Sequence, residues 1–383
     1  MKNRYVVLIP FWGEVHSEIW IKYALPSYLS KHNIPYLARQ ADFSLLICTT
    51  QERWQWLEKN EDFCQVCKKY TVCFMDIAAI IAKHGGCYGN ILTYAYHKAI
   101  KEWRVDKSEP YFIFLNADFV LADGVLQTVD QLVKKGAEIV FCPSLRVVRD
   151  EFLPLLCARI ELQKDIKTLS VSARQMLNSA FQHLHPTVTA QTVNLPDEAG
   201  SLVTNQLYWK IDATTFLGRH FLVHPFVIKP SVVPLVPTGY VDYNVVYDFH
   251  PQGKITYITD SDDAVIIELE CAHKEVEHFS FFLKNPVTYC GLVSRWVNAL
   301  HRQNFTKTFV FHVAPLKKNR LLLEKEKRKF NRFTRQVSEN LINYQPFIRH
   351  PYWVRSNSLV WRRLSWSKRV LKKICVSGAR RIF

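Results

Sequence analysis

Asn116 and Asp118 stand two positions apart, directly after Tyr111-Phe112-Ile113-Phe114-Leu115, a run that is apolar throughout and reads as a buried strand. On extended backbone alternate residues face the same way, so both oxygen-bearing side chains can reach one hard cation. Mg2+ or Mn2+ held there can bridge a diphosphate and neutralise the charge that builds on it as it departs. Ligands of open α/β sheets bind at the carboxyl ends of strands, where this triplet lies. Farther on, Asp242 sits within Gly239-Tyr240-Val241-Asp242-Tyr243, among rings that can stack on a sugar. A carboxyl whose pKa is raised by burial there suits a general base, and a loop hydrogen-bonding role fits equally. Asp260, Asp262 and Asp263 crowd one another, and a cation, a helix N-terminus or solvent has to relieve them. Asp260 and Asp262 are the pair that share a face of an extended chain.

Other chemistries find less support. Cys64-Gln65-Val66-Cys67 with Cys73, Cys87 and His84 is the one zinc-like set, but its spacing is irregular and Cys73 lies inside an apolar run. The sequence has no Gly-x-Ser-x-Gly elbow, no P-loop and no Gly-x-Gly-x-x-Gly fingerprint.

The elements that must position these residues alternate. Tyr5 to Pro10, Phe43 to Cys48, Thr71 to Met75, Tyr111 to Leu115 and Glu138 to Cys142 read as strands. Between them, Ser17 to Ser30, Glu52 to Glu58, Ile91 to Trp103 and Val125 to Lys135 carry helical periodicity, with Gly136 as a stop. This alternation predicts an α/β fold, a doubly wound, mainly parallel sheet flanked by helices. Glu151 to Leu184 reads as helical, Val223 to Thr259 as loops with short strands, and the chain beyond about Pro315 as long charged helices.

With those elements in place, the segment around Asn116-Ala117-Asp118 resembles the D-x-D region of the GT-A-type glycosyltransferases, with Asn at the first motif position. The resemblance extends over roughly Tyr5 to Glu270 and implies transfer of a sugar from a nucleotide-diphosphate donor to a glycan or lipid-linked acceptor. It further implies that Pro10-Phe11-Trp12-Gly13 holds the base and ribose, and that His84 to Asn90, leading into the helix with His97 and Lys98, approaches phosphate. Asn116, Asp118 and His224 would hold the metal, His224 standing where many such enzymes place a late histidine; a structural histidine is the other reading. Asp197-Glu198 would be a catalytic-base or acceptor-binding pair, or else a solvated turn. A non-catalytic scaffold that keeps the fold is the alternative from another class, and Asn116 is the feature that favours it.

The charge is unevenly distributed. Residues 317–383 hold 19 Lys and Arg against three acids, so the formal charge of +16 belongs to them, and residues 1–316 are balanced. Within them Leu359 to Ile374 reads as an amphipathic basic helix with Trp361 and Trp366 at its interface, suited to an anionic membrane surface. Nucleic acid is the weaker partner, because no helix-turn-helix, zinc finger or RNA-reading motif accompanies the charge. Three segments follow: 1–145 binding the nucleotide, 146–315 binding the acceptor and carrying catalysis, and 316–383 as a basic helical tail. Ten irregularly spaced cysteines, and no run resembling a secretory signal, point to the cytoplasm and to a peripheral position on the inner face of the membrane.

Overall fold

The computed structural model describes residues 2–104, 109–195, 205–272, 285–316 and 320–343. Its strands are β1 (Arg4–Pro10), β2 (Asp42–Thr49), β3 (Val72–Asp76), β4 (Tyr111–Phe114), β5 (Phe119–Leu121), β6 (Ile139–Cys142), β7 (Ser144–Val148), β8 (Ile160–Gln163), β9 (Ile166–Leu169), β10 (Gln206–Asp212), β11 (Thr215–His220), β12 (His224–Ile228), β13 (Ile255–Tyr257), β14 (Ile266–Glu270) and β15 (Phe309–His312). Seven of them form the central sheet in the order β13-β6-β12-β4-β1-β2-β3. All neighbours pair in parallel except β12, which runs against both β4 and β6. Tyr5 to Ile9 of β1 and Leu45 to Cys48 of β2 are fully or almost fully buried, as consecutive apolar residues in a sheet covered on both faces must be. The α/β architecture with a mainly parallel, helix-flanked sheet is the one the alternation predicts.

Two departures from regularity place the site. Because β12 is reversed, its first residue, His224, lies at the carboxyl edge of β4 and β6, opposite Cys142. A second sheet, β5-β14-β7, then brings a distant segment against the end of β4: Glu268 on β14 is paired with Phe119 on one side and Arg146 on the other. The Leu269 N–H donates to the Asp118 carbonyl at 3.0 Å, which fixes β14 against the 116–118 turn.

The loop bearing Asn116 and Asp118 is also held from the amino-terminal side. Asn33 is fully buried; its Nδ2 lies within 3.0 Å of the Ser27 carbonyl, the Ser30 hydroxyl and the Ala122 carbonyl, and its Oδ1 accepts the Leu126 N–H at 3.0 Å. The Ser27 hydroxyl accepts the Leu121 N–H, and the Tyr28 hydroxyl donates to the Asn116 carbonyl. These bonds satisfy backbone groups that have no water to turn to.

Some elements differ from the sequence reading. Glu151 to Leu184 is not continuously helical: the hairpin β8-β9 separates the helices Arg149–Cys157 and Ala173–Ala180. Its turn residues Lys164 and Asp165 have φ of 49° and 66°, the left-handed pair of a two-residue hairpin turn, which breaks helical periodicity outright. The stretch read as loops and short strands contains the helix Val241–Phe249. The long charged helix expected beyond Pro315 is present as Arg320–Asn343; it buries Phe330, Val337 and Leu341 in a second core with Leu217, Phe221 and Tyr289. The chain to Asn343 forms one compact unit, and the basic segment Leu359 to Ile374 lies outside the described residues. No helix among the described residues is long and apolar enough to cross a membrane.

Asn33→Ala removes the bonds of that side chain and leaves the Leu126 N–H unpaired in the interior. A loss of about 2–4 kcal/mol is expected in urea denaturation, where an unchanged midpoint would show that the loop is held by other means.

Candidate active site

Asn116 and Asp118 follow β4 as expected, but their side chains are differently engaged. The Asn116 Oδ1 accepts the Tyr96 hydroxyl at 2.9 Å, which leaves one of its two lone pairs for a ligand. Asp118 is only partly screened from solvent, yet it is sunk deep within protein mass. Burial, and after it the negative charge of Glu268, pushes its carboxyl up to about 7; Glu270 adds to the rise, while its own backbone N–H and Arg146 oppose it.

Glu268 and Glu270 are therefore part of the same cleft. Glu268 accepts from the Ser144 hydroxyl and from the Arg146 Nε, both at 3.0 Å. Glu270, two residues on, shares its strand face and acts on His16 and on Arg149, and Arg149 borders a groove of about 360 Å3 lined also by Glu14, Glu18, Lys22 and Leu153. Asp242 joins from the first turn of the helix Val241–Phe249. It is open to water but set inside the cleft, and burial, followed by the charge of Glu268, raises it to about 6 against the pull of Arg146. Glu268 is thus bonded to Arg146, and Asp118, Asp242 and Glu270 lie within electrostatic reach of its guanidinium, with Glu270 also acting on Arg149.

His224 completes the set. Its Nε2–H donates to the Phe114 carbonyl at 2.8 Å, which leaves the lone pair on Nδ1. Burial lowers its pKa to about 4, so at neutral pH it is the uncharged imidazole that a metal requires.

The remaining predicted residues surround this centre or stand apart from it. Pro10 ends β1, and Trp12 beyond it stacks on Tyr88 with ring centroids 5.9 Å apart. Gly13 adopts φ 75°, and its carbonyl accepts the Ser17 hydroxyl. Tyr88 opens the helix Tyr88–Trp103 and stands about 12 Å along its axis from Tyr96, the residue that reaches Asn116. Asn90 lies half-exposed in the first turn of that helix. His97 is buried and donates to the Pro234 carbonyl at 2.7 Å, and Lys98 donates to the Asp76 carbonyl at 2.8 Å. The structure thus engages both with neighbouring backbone. Asp197 and Glu198 lie outside the described residues.

A separate cluster explains the crowded aspartates. The His312 Nε2 lies 2.9 Å from Asp260 and 3.7 Å from Asp262, and Arg174 holds Asp262 through two bonds of 2.8 and 2.7 Å. The ligand atoms of Asp260, Asp262 and His312 lie within 4.8 Å of one another, close enough for a cation. Their charges, however, are already balanced: the His312 hydrogen bond lowers Asp260, the Arg174 bond lowers Asp262, and Asp260 raises His312 against the effect of its burial. Burial, and then Cys64 and Glu58, raise the Cys67 thiol to about 11, the wrong direction for a zinc thiolate.

Sequence reasoning missed Glu268, Glu270 and Arg146. Glu268-Leu269-Glu270 follows an apolar run and has the same alternate spacing as Asn116 and Asp118, so the local signal was present; the pairing that brings the two segments together was not.

No protein-family model matches the sequence, and none of the curated proteins does. Solved structures to which this chain shows similarity include mouse xyloside xylosyltransferase 1 in its apo form (16% identity, TM-score 0.27, 39% of this chain). This chain spans 57% of that protein's length. A mannosyltransferase from Pyrobaculum calidifontis in complex with GDP-Man and Mn2+ is similar over 90% of this chain and 86% of its own (9% identity, TM-score 0.37). A Bacillus anthracis protein described as a glucose-1-phosphate thymidylyltransferase covers 39% of this chain and 57% of its own (12% identity, TM-score 0.24). These neighbours are glycosyl- and nucleotidyltransferases; what this chain does is argued below from its own site.

The Asp118 shift has a stability consequence. Its folded pKa of about 7 lies above an unfolded value of about 3.9, so its ionisation costs stability progressively as pH rises between those values, and the full cost is present above about pH 7. In metal-free protein Asp118→Asn should therefore raise the melting temperature clearly at pH 8 and much less at pH 5. An equal or lower melting temperature at pH 8 would contradict the environment described for this carboxyl.

Proposed function

We propose that the chain is a glycosyltransferase that moves a sugar from a nucleotide-diphosphate donor to a glycan or lipid-linked acceptor with divalent-metal assistance. The observation that carries this reading is the carboxylate cluster of Asp118, Glu268, Glu270 and Asp242 at the carboxyl edge of a mainly parallel sheet, with neutral His224 beside it. Burial, and after it the charge of Glu268, raises the Asp118 and Asp242 carboxyls; a hard cation relieves both effects, and carboxylate oxygens with an imidazole nitrogen suit Mn2+ or Mg2+. Asp118, His224, Glu268 and the free lone pair of Asn116 would hold it. When bound, such a cation supplies a Lewis acid that stabilises charge on the departing diphosphate.

The chain's own residues do the rest. Arg146 holds Glu268 in one orientation through its ion pair. The Trp12–Tyr88 stack offers flat apolar surface to the nucleotide, and the groove beside Arg149 offers charges of both signs to an acceptor. The acceptor oxygen forms a bond to the anomeric carbon as the bond from that carbon to the diphosphate oxygen breaks. Asp242 takes the acceptor's proton, a role for which a carboxyl titrating near pH 6 is suited. The engagement of Asn116 by Tyr96 favours the second reading, a scaffold without turnover.

The test is a thermal-shift screen against UDP, GDP, CDP and dTDP sugars with and without Mn2+. A metal-dependent rise with one nucleotide, lost in Asp118→Ala, is expected. With that donor, kcat/KM should rise through about pH 6, and Asp242→Asn should lower it by about 100-fold or more. No shift with any donor, from folded protein, assigns the chain to the scaffold reading.

A further inference from the structure

The loop after β12 holds apolar side chains out in water. Val232, Leu235, Val236 and Tyr240 are 44%, 87%, 50% and 42% exposed within nine residues. A loose loop would fold such side chains back, but this one is tied down along its length. The Ser231 and Val232 N–H groups donate to the Phe249 carbonyl, the Pro234 carbonyl accepts from His97, the Thr238 N–H donates to Asp248, and the Val241 N–H donates to the Thr93 hydroxyl. The apolar surface is therefore part of the fold's fixed geometry, and fixed apolar patches mark contact surfaces.

Aromatic rings continue it. The Tyr240 ring lies against Gly89, its hydroxyl 3.4 Å from the Cys87 sulfur, and neighbouring Tyr88 is 68% exposed over Trp12. The loop runs back along the helix Tyr88–Trp103, touching it at Gly89, Thr93 and His97 and reaching Arg104 beyond its end. At 100° per residue exposed Lys101 lies beside that line of contact, while Lys98, bonded to the Asp76 carbonyl, and Glu102 lie farther round the helix. Exposed Lys83 ends the preceding helix, Ala78–His84. An apolar tip, a band of Tyr and Trp, and a basic flank are the three layers a protein presents to acyl chains, interface and anionic headgroups.

We propose that this surface, the loop 230–240 with the exposed start of the helix Tyr88–Trp103, docks on an anionic lipid bilayer. Leu235 and Val236 enter the acyl boundary, Tyr88 and Tyr240 lie at the headgroups, and exposed Lys83 and Lys101 meet the negative charge. Asp242 follows the loop by two residues, so docking sets the mouth of the cleft at the membrane surface, within reach of an acceptor carried by a lipid. The surface is distinct from the basic residues 344–383, and it stands whether or not the chain transfers sugars.

The experiment uses the full chain and needs no donor. Binding to phosphatidylcholine vesicles with roughly one third phosphatidylglycerol is measured by co-sedimentation for the wild type, Leu235→Asp/Val236→Asp, and the control Leu162→Asp, which changes an equally exposed side chain on β8. The double variant should bind about tenfold more weakly or worse, the control like the wild type. Hydrogen exchange on the wild type should show vesicle-dependent protection over 229–241. Equal binding by the double variant, or no protection of that segment, overturns the proposal. Protection that appears with protein concentration and without vesicles overturns it in favour of self-association.

Discussion

Carboxylates brought together in a cleft surrounded by protein repel one another and lose part of the water that would screen them, even where the cleft stays open to solvent. Asp118, Glu268, Glu270 and Asp242 are held in that situation by a scaffold that does not let them part. Arg146 is the opposing charge that tempers Asp118 and Asp242 alike, and its bond to Glu268 fixes that carboxylate in place. Two of the four respond by titrating near neutrality rather than near pH 4. A protein gains no stability from such an arrangement, so the cluster reads as a feature kept for binding charge.

Much of the surrounding structure serves to hold that cluster. The parallel strands β4 and β1 deliver the 116–118 turn and the Trp12 loop to one edge, the reversed β12 brings His224 to the same edge, and β14, wedged between β5 and β7, adds the two glutamates. Asn33 and Tyr28 secure the turn from the opposite side. The docking loop belongs to the same frame, since it leads directly into the helix that carries Asp242. Residues that would bind donor, proton and membrane are thus coupled through short stretches of rigid backbone.

The parts of this legible in the sequence were those with local signals. Buried strands announce themselves as unbroken apolar runs, and Asn116 and Asp118 stand out because alternate spacing follows such a run. Asp242 was visible through its aromatic neighbours. Glu268 and Glu270 have the same spacing, but their partners come from strands far away along the chain, a pairing that no local pattern conveys. The Lys164-Asp165 turn was missed because it lacks the glycine usual in such turns and Lys rarely adopts left-handed backbone. Asp260 and Asp262 looked available for a cation until the fold supplied His312 and Arg174 as their counter-charges.

Among the described residues Asp260, Asp262 and His312 bring their ligand atoms close enough for a cation, whereas the account proposes that the metal sits at Asp118. Mn2+ binding measured by isothermal titration at pH 7.5 on the wild type, Asp118→Asn and His312→Ala separates the two. The account predicts one site that survives His312→Ala and disappears in Asp118→Asn. Binding that survives Asp118→Asn and is lost in His312→Ala would contradict it and move the metal to the Asp260, Asp262 and His312 cluster.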